Sequence, residues 1–327
     1  MNIPFIDLSR LHTPIRKELD RAIQSVTTSN DYILGDDVER FEEEFASYCG
    51  MKYATGVGNG TDGLLMSLRA LGIGPGDEVI TTPFSFIAST LPIIYAGATP
   101  VFADILPDSF TIDLVEIEKK ITSQTRAIIP VGLFGQSPGM EAICSIAKTH
   151  KLKIILDACQ SHGAKYLGKP LPTWADVSVF SFYPAKNLGA FGDGGVVLTN
   201  NQKVDITIKT LRNVGRAGWY KHTMKGYNSR LDTLQAAILR VKLKQLNSWN
   251  KERIKLAQSY SKALKNLPIT LPQTVADRSH VYHLYVIQTA KRDELKDYLE
   301  KHGSILSQIG EPYYYEVRER FNLKPTL

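Results

Sequence analysis

The chain has 327 residues, a net charge of +6 from 39 Lys and Arg against 33 Asp and Glu, and a composition that is 43% hydrophobic and 22% charged. These are the proportions of a water-soluble globular chain long enough to bury a large core, and they exclude collagen-like, mucin-like and broadly disordered sequences. The basic residues are spread without a run of five or more, which favours an anionic small substrate over nucleic acid.

Near the N-terminus, residues 1–10 lack a basic flank followed by an apolar stretch, so no signal peptide is expected. Asp36-x-x-Glu39 is a capping-box pattern that opens an apolar-periodic stretch ending near Gly50. Short β-rich runs then occur at 78–82, 99–104, 126–131, 153–157 and 177–183, with helical patterns at 85–96, 113–121 and 139–150 between the first four. Residues 79–103 carry no charge, but Pro83, Pro92 and Pro100 favour a buried strand–loop–helix–strand unit over a membrane span. Near-continuous apolar strands separated by helices predict an α/β fold, a mostly parallel sheet covered by helices on both faces. A long helical pattern fills 229–267, and a β-rich run at 281–289 precedes a helix at 293–301. This divides the chain into a large domain, 1–266, and a smaller α+β domain, 267–327, expected to be incomplete.

In such sheets ligands bind at the carboxyl ends of the strands. Ser181-Phe182-Tyr183-Pro184-Ala185-Lys186 leaves one of those ends, with Gly192-Asp193-Gly194-Gly195 behind it. A lysine held there by a buried strand can lose its charge by desolvation and act as an amine nucleophile, although a surface lysine on a loop has the same local pattern. Asp157 ends another apolar run and suits either a cationic ring nitrogen or a helix cap. Gly58-Asn59-Gly60-Thr61-Asp62-Gly63 opens a helix as a phosphate cradle could, but matches neither the Walker A nor the G-x-G-x-x-G pattern. The missing dinucleotide fingerprint speaks against a Rossmann-type oxidoreductase. Phe84 and Phe86 flank a strand end, suited to core packing or to stacking on a ring. His280 and His283, spaced i, i+3 in a β-like run, read as structural, and Cys159 with His162 lacks further metal ligands nearby in sequence. No metal site is expected. Cys49, Cys144 and Cys159 show no C-x-x-C spacing, which argues for reduced thiols and a cytoplasmic setting.

Taken in order, Asn59-Gly60-Thr61-Asp62, Pro83-x-Ser85-Phe86, Asp157-Ala158-Cys159-Gln160-Ser161-His162-Gly163-Ala164, Ser181-Phe182-Tyr183-Pro184-x-Lys186 and Asn228-Ser229-Arg230-Leu231-Asp232 resemble the DegT/DnrJ-type nucleotide-sugar aminotransferases. The resemblance runs from Pro4 to about Gly303. It implies the aspartate-aminotransferase fold, pyridoxal 5'-phosphate as cofactor, and transfer of an amino group from L-glutamate to a keto group of a nucleotide-activated hexose, C3 as the first reading and a 4-keto sugar as an alternative. It gives Lys186 the Schiff base and the proton transfer, Asp157 the ring nitrogen and Gln160 the ring hydroxyl. Phe86 would lie on the ring face, and Gly60, Thr61 and Ser181 on the phosphate. Asn228 would reach the phosphate of a neighbouring subunit, making a homodimer with shared sites, and Arg230 an anionic part of the substrate. Dehydratases of the family carry histidine where Lys186 stands. Departures are Leu156 in place of an acidic residue, Cys159 in place of alanine, and a sequence after Gly303 that no longer follows the family. That last departure leaves a catalytically impaired or non-catalytic protein of the same fold as the alternative.

Overall fold

The computed structural model describes residues 3–218 and 220–304. Nine strands are present: β1 (Tyr53–Val57), β2 (Glu78–Thr81), β3 (Thr99–Phe102), β4 (Thr125–Ile128), β5 (Lys153–Asp157), β6 (Lys165–Tyr166), β7 (Lys169–Pro170), β8 (Val177–Ser181) and β9 (Gly195–Thr199). Seven form one sheet in the order β1-β9-β8-β5-β4-β2-β3, and β6 pairs with β7 in a small hairpin. Only β9 runs antiparallel to its neighbours in the large sheet. The mostly parallel sheet covered on both faces is therefore the observed architecture.

Side-chain alternation explains the two-sided core. Along β8, Val177 and Val179 face one apolar layer while Phe180 and, just beyond the strand, Phe182 face the other. Ile155 and Val197 join the first layer; Ile154, Leu156, Val196 and Leu198 join the second. The helices Gly60–Ala70 and Gln202–Arg212 cover the first face. The helix Asp36–Cys49 covers the second, where Phe41 and Phe45 meet Phe180 and Phe182 with ring centroids 5.2–5.4 Å apart in edge-to-face geometry.

Some expected elements differ in their limits. The N-cap of the first capping-box helix is Gly35, so Asp36 sits inside the first turn and makes no side-chain cap; Gly50 closes the helix in the left-handed region (φ +67°), as a terminal glycine permits. The 85–96 pattern yields a short 3₁₀ turn, Ile87–Ser89, and a short helix, Leu91–Tyr95, because Pro92 can occupy only the first turn. The long 229–267 pattern is two helices, Thr233–Leu243 and Leu246–Leu264. The 281–289 run forms no strand, only the isolated bridge Thr270–Gln288, with Gln136–His280 just before it, because it docks against loops rather than against a sheet edge. The end of the expected small domain, 305–327, lies outside the described residues.

One buried ion pair ties three layers together. The Glu42 carboxylate accepts the Gly56 N–H at 2.7 Å and pairs with Arg212, which also donates to the Gly56 carbonyl at 2.8 Å. Burial pushes the Glu42 carboxyl up, and the Arg212 charge opposes that rise. Removing the guanidinium leaves a buried acid without its counter-charge. Arg212→Met is expected to cost about 3–5 kcal/mol in denaturant unfolding at neutral pH. The loss should shrink on acidification, when Glu42 takes up a proton instead.

Candidate active site

Register brings the site together. β5 and β8 are adjacent and Asp157 lies opposite Val179, so Ser181 emerges two residues beyond the carboxylate on the same edge. Ser181 in turn lies opposite Gly195 in β9. Gly195 is required there: a Cβ would stand 2.5 Å from the Asn59 carbonyl carbon and 2.9 Å from the Gly60 nitrogen. The start of the Gly60–Ala70 helix is thus pressed onto the strand ends. A Cβ on Gly60 would meet Cys159 Sγ at 2.9 Å and Ser181 Cβ at 3.0 Å. Three segments far apart in sequence therefore converge on one bare stretch of backbone.

That helix start is built for an anion. The Asn59 side chain caps the helix by accepting the Asp62 N–H at 2.8 Å. Gly63 N–H bonds the Asn59 carbonyl at 3.1 Å, leaving the Gly60 and Thr61 amides at the open first turn and at the positive end of the helix dipole. Asp62 is occupied elsewhere, accepting from Asn59 Nδ2 at 3.0 Å and from Ser229 Oγ at 2.7 Å, while Ser229 Oγ accepts Gly58 N–H at 3.0 Å. These contacts dock the 228–230 segment beside the cradle.

Asp157 is buried, 5% exposed, and both of its oxygens are engaged. Oδ1 accepts Cys159 N–H at 3.1 Å; Oδ2 accepts the Ser89 hydroxyl at 2.7 Å, and Ser89 Oγ lies 2.7 Å from Ser85 Oγ. A carboxylate only accepts, so Ser89 donates to Asp157 and Ser85 donates to Ser89. Lys186 follows β8 in a turn closed by its own N–H to the Tyr183 carbonyl at 2.9 Å. Burial draws its amine below the ordinary lysine range, and the neighbouring Cys159 and Asp157 oppose that shift. Gln160 Oε1 accepts Phe134 N–H at 2.8 Å, which leaves the amide nitrogen as the free, donating end.

The remaining predicted residues lie at the margin. Phe86 is 58% exposed, whereas Phe84 packs into the core on Phe110, with ring centroids 5.7 Å apart. Asn228 is exposed and bridges Asn213 through the backbone. Arg230 donates to Asn213 Oδ1 at 3.0 Å. The sequence reading missed Ser89, whose value lies only in the fold of the 83–90 loop, and the Ser229–Asp62 link. The Asn59-x-x-Asp62 spacing was the available signal for the cap.

The chain also keeps a cation behind the lysine loop. Lys242, 2% exposed, donates to the Gly189 carbonyl and lies 3.1 Å from His12 Nε2 and 5.4 Å from the Phe191 ring centre. Burial lowers its amine to about 8, and burial together with Lys242 holds His12 at about 4.

Residues 13–320 match the DegT/DnrJ/EryC1/StrS aminotransferase family. The chain belongs to that family. It is 46% identical over 302 residues to the dTDP-3-amino-3,4,6-trideoxy-alpha-D-glucose transaminase of Streptomyces venezuelae, covering 92% of this chain and 80% of the relative. It is 47% identical over 297 residues to the dTDP-3-amino-3,6-dideoxy-alpha-D-galactopyranose transaminase of Aneurinibacillus thermoaerophilus, covering 91% and 82%. Among solved structures, S. venezuelae DesV superimposes with a TM-score of 0.92 at 44% identity, covering 96% of this chain and 87% of that one. NtdA of Bacillus subtilis, solved with its bound cofactor PMP, gives 0.88 at 32% identity, covering 96% and 75%. This family member is a nucleotide-sugar transaminase with pyridoxal phosphate as its cofactor. The glycine-lined cradle and the half-buried Lys186 amine close to the buried Asp157 carboxylate fit that group.

Two measurements follow from this geometry. Ser89→Ala removes the donor to Asp157 and strands the Ser85 hydroxyl; it should weaken cofactor binding about tenfold in a fluorescence titration, a loss of the size of one charge-assisted hydrogen bond. Lys242 has a lower pKa folded than unfolded, so the folded state releases its proton first and stability rises with pH from about 8 toward the unfolded lysine value of about 10.4. Lys242→Met should remove that rise, seen as a flatter dependence of the denaturation midpoint on pH.

Proposed function

We propose that this aminotransferase takes its amino group from L-glutamate and delivers it to C3 of a nucleotide-linked keto-hexose, with Lys186 as the amine that holds the cofactor and then moves the proton. The observation that carries this reading is the convergence of Lys186, Asp157 and the Gly60–Thr61 helix start at the ends of β8, β5 and β1.

Pyridoxal phosphate, when bound, supplies an aldehyde that takes up amino groups and a ring that withdraws electrons. The protein's part is placement and proton management. The Gly60 and Thr61 amides and the Ser181 hydroxyl hold the phosphate. Asp157, steadied by Ser89 and the Cys159 amide, would pair with the ring nitrogen and favour its protonated form. Gln160 presents Nε2, a donor, to the ring oxygen because its carbonyl is spent on Phe134. Phe86, exposed at the loop, would lie against the ring face. A lysine amine drawn down by burial has more of its neutral form near neutral pH, the form that would hold the cofactor as a nucleophile and, once released, take up and return a proton as a base.

The C3 preference is carried over from relatives whose names describe 3-amino sugars. A homodimer with shared sites accords with the exposed Tyr32, Ile33, Tyr183 and Phe191 and with the outward position of Asn228 beside the cradle. In that arrangement Asn228 reaches the partner's cofactor phosphate and Arg230 an anionic part of the sugar nucleotide. Among the described residues no helix is long and apolar enough to cross a membrane. The three thiols are free, as a reducing cytoplasm would leave them.

Lys186→Ala should give folded protein that shows no visible absorbance band with added pyridoxal phosphate and no transamination. Retained turnover would sink the assignment. The wild-type band should bleach toward the near-ultraviolet on addition of L-glutamate, and product analysis with paired 3-keto and 4-keto nucleotide sugars should favour the former. Asn228→Ala should raise the cofactor dissociation constant several-fold while leaving the dimer intact; an unchanged constant speaks against the cross-subunit contact.

A further inference from the structure

Behind Lys186 lies a closed chain of buried amides. Asn187 is 2% exposed and makes three contacts. Its Nδ2 donates to Asn250 Oδ1 at 2.9 Å and to the Val281 carbonyl at 3.1 Å; its Oδ1 lies 3.3 Å from His283 Nδ1. A carbonyl only accepts, so Val281 fixes which way the Asn187 amide points. His283 must then carry its hydrogen on Nδ1 and donate. On the far side, Asn250 Nδ2 donates to the His162 carbonyl at 2.8 Å, in the turn that also carries Asp157 and Gln160. Arg253, on the same helix as Asn250, donates to the Tyr282 and His283 carbonyls at 3.2 and 3.4 Å. Gly135 seals the other edge: its carbonyl accepts Val281 N–H at 2.9 Å, and a Cβ at its φ of +108° would come within 2.9 Å of the nitrogens of Tyr282 and His283.

We infer that Asn187 is a positioning residue through which the 281–283 segment holds the Lys186 backbone in place and keeps water away from its amine. The inference rests on the reading of Lys186 as the reacting amine. The lysine and the C-terminal segment meet at one side chain, adjacent to Lys186 in sequence, all of whose polar atoms are engaged. Removing it strands the Asn250 oxygen and the Val281 carbonyl in the interior, and buried groups left without partners admit water. Water beside an ammonium stabilises the charged form. The groups bearing charge or titrating around the amine are Asp157 and Cys159 on the turn after β5, His162 on the same turn, His283 on the docked segment and Arg253 on the long helix. Burial keeps both imidazoles neutral, His162 at about 3 and His283 well below the usual histidine range, so neither supplies a competing charge near neutral pH.

The test uses the full chain freed of cofactor. Competitive acetylation at a series of pH values, read by mass spectrometry of the Lys186 peptide with exposed Lys225 as internal comparator, gives the protonation midpoint of the amine. Asn187→Ala is expected to raise the Lys186 midpoint by about one unit, a tenfold loss of neutral amine at neutral pH, while Lys225 stays unchanged. His283→Ala should move it in the same direction, and His283→Asn, which keeps a donor for Asn187 Oδ1, should restore it. Folded Asn187→Ala and His283→Ala proteins with unaltered midpoints would overturn the proposal, leaving the network a purely structural one. A His283→Asn protein indistinguishable from His283→Ala would overturn it as well. Should Asn187→Ala not fold, the two His283 variants decide the matter. Whether wild-type protein forms the visible band with pyridoxal phosphate tests the underlying reading separately, because the acetylation midpoints need no cofactor.

Discussion

A half-buried primary amine one strand away from a buried carboxylate is the constraint on which the rest of this molecule depends. Neither group is comfortable in a low-dielectric interior, and each lowers the cost of the other. Parallel neighbours β5 and β8 supply the arrangement, since their carboxyl ends open on the same edge and Asp157 is in register with Val179. The antiparallel β9 then brings Gly195 opposite Ser181, and the absence of a side chain at 195 lets the Asn59–Gly60 peptide lie against the strands. Amine, carboxylate and helix start are thus placed by sheet register, which side chains on the surface can do little to disturb.

The fold and the candidate site residues were legible in the sequence for a physical reason. Buried parallel strands must be apolar along their whole length, so 153–157 and 177–181 announce themselves, and the polar residue at the end of such a run is conspicuous. Asp157 stood out in this way, Lys186 through the proline-bearing turn that follows the second run, and the Gly60–Thr61 turn through its glycines. Antiparallel β9 and edge strand β1 were harder to see, because a five-residue run flanked by glycines reads as loop as readily as strand. The partition of 229–267 into two helices was hidden because the break at Lys244 and Gln245 uses residues that are themselves good helix formers. Ser89 and Asn187 were invisible because their importance comes entirely from partners 68 and 63 or more positions away.

The C-terminal run shows the limit of pattern reading most plainly. Residues 281–287 alternate as a strand would, yet they join no sheet. Their backbone groups are met instead by Gly135, Asn187 and Arg253, each contributed by a different part of the chain. The segment acts as a strap over the lysine loop, with its hydrogen bonds directed to loops and side chains. Phe134, held at a positive φ of 57°, belongs to the same device: its N–H faces Gln160 and its carbonyl accepts from Leu284 at 3.4 Å, so one strained residue joins the strap to the turn after β5.

The paired hydroxyls of Ser85 and Ser89 have a polarity of their own. Because the carboxylate at the inner end takes up one hydrogen, and the inner hydroxyl takes up the next, both O–H dipoles are aligned toward the interior. The outer oxygen is therefore left showing only lone pairs, one residue from exposed Phe86. A hydroxyl or ammonium can donate to that oxygen with the file left intact, while a carbonyl or phosphate oxygen meets a hydrogen there only if the Ser85 hydroxyl turns away from Ser89 and that bond is lost.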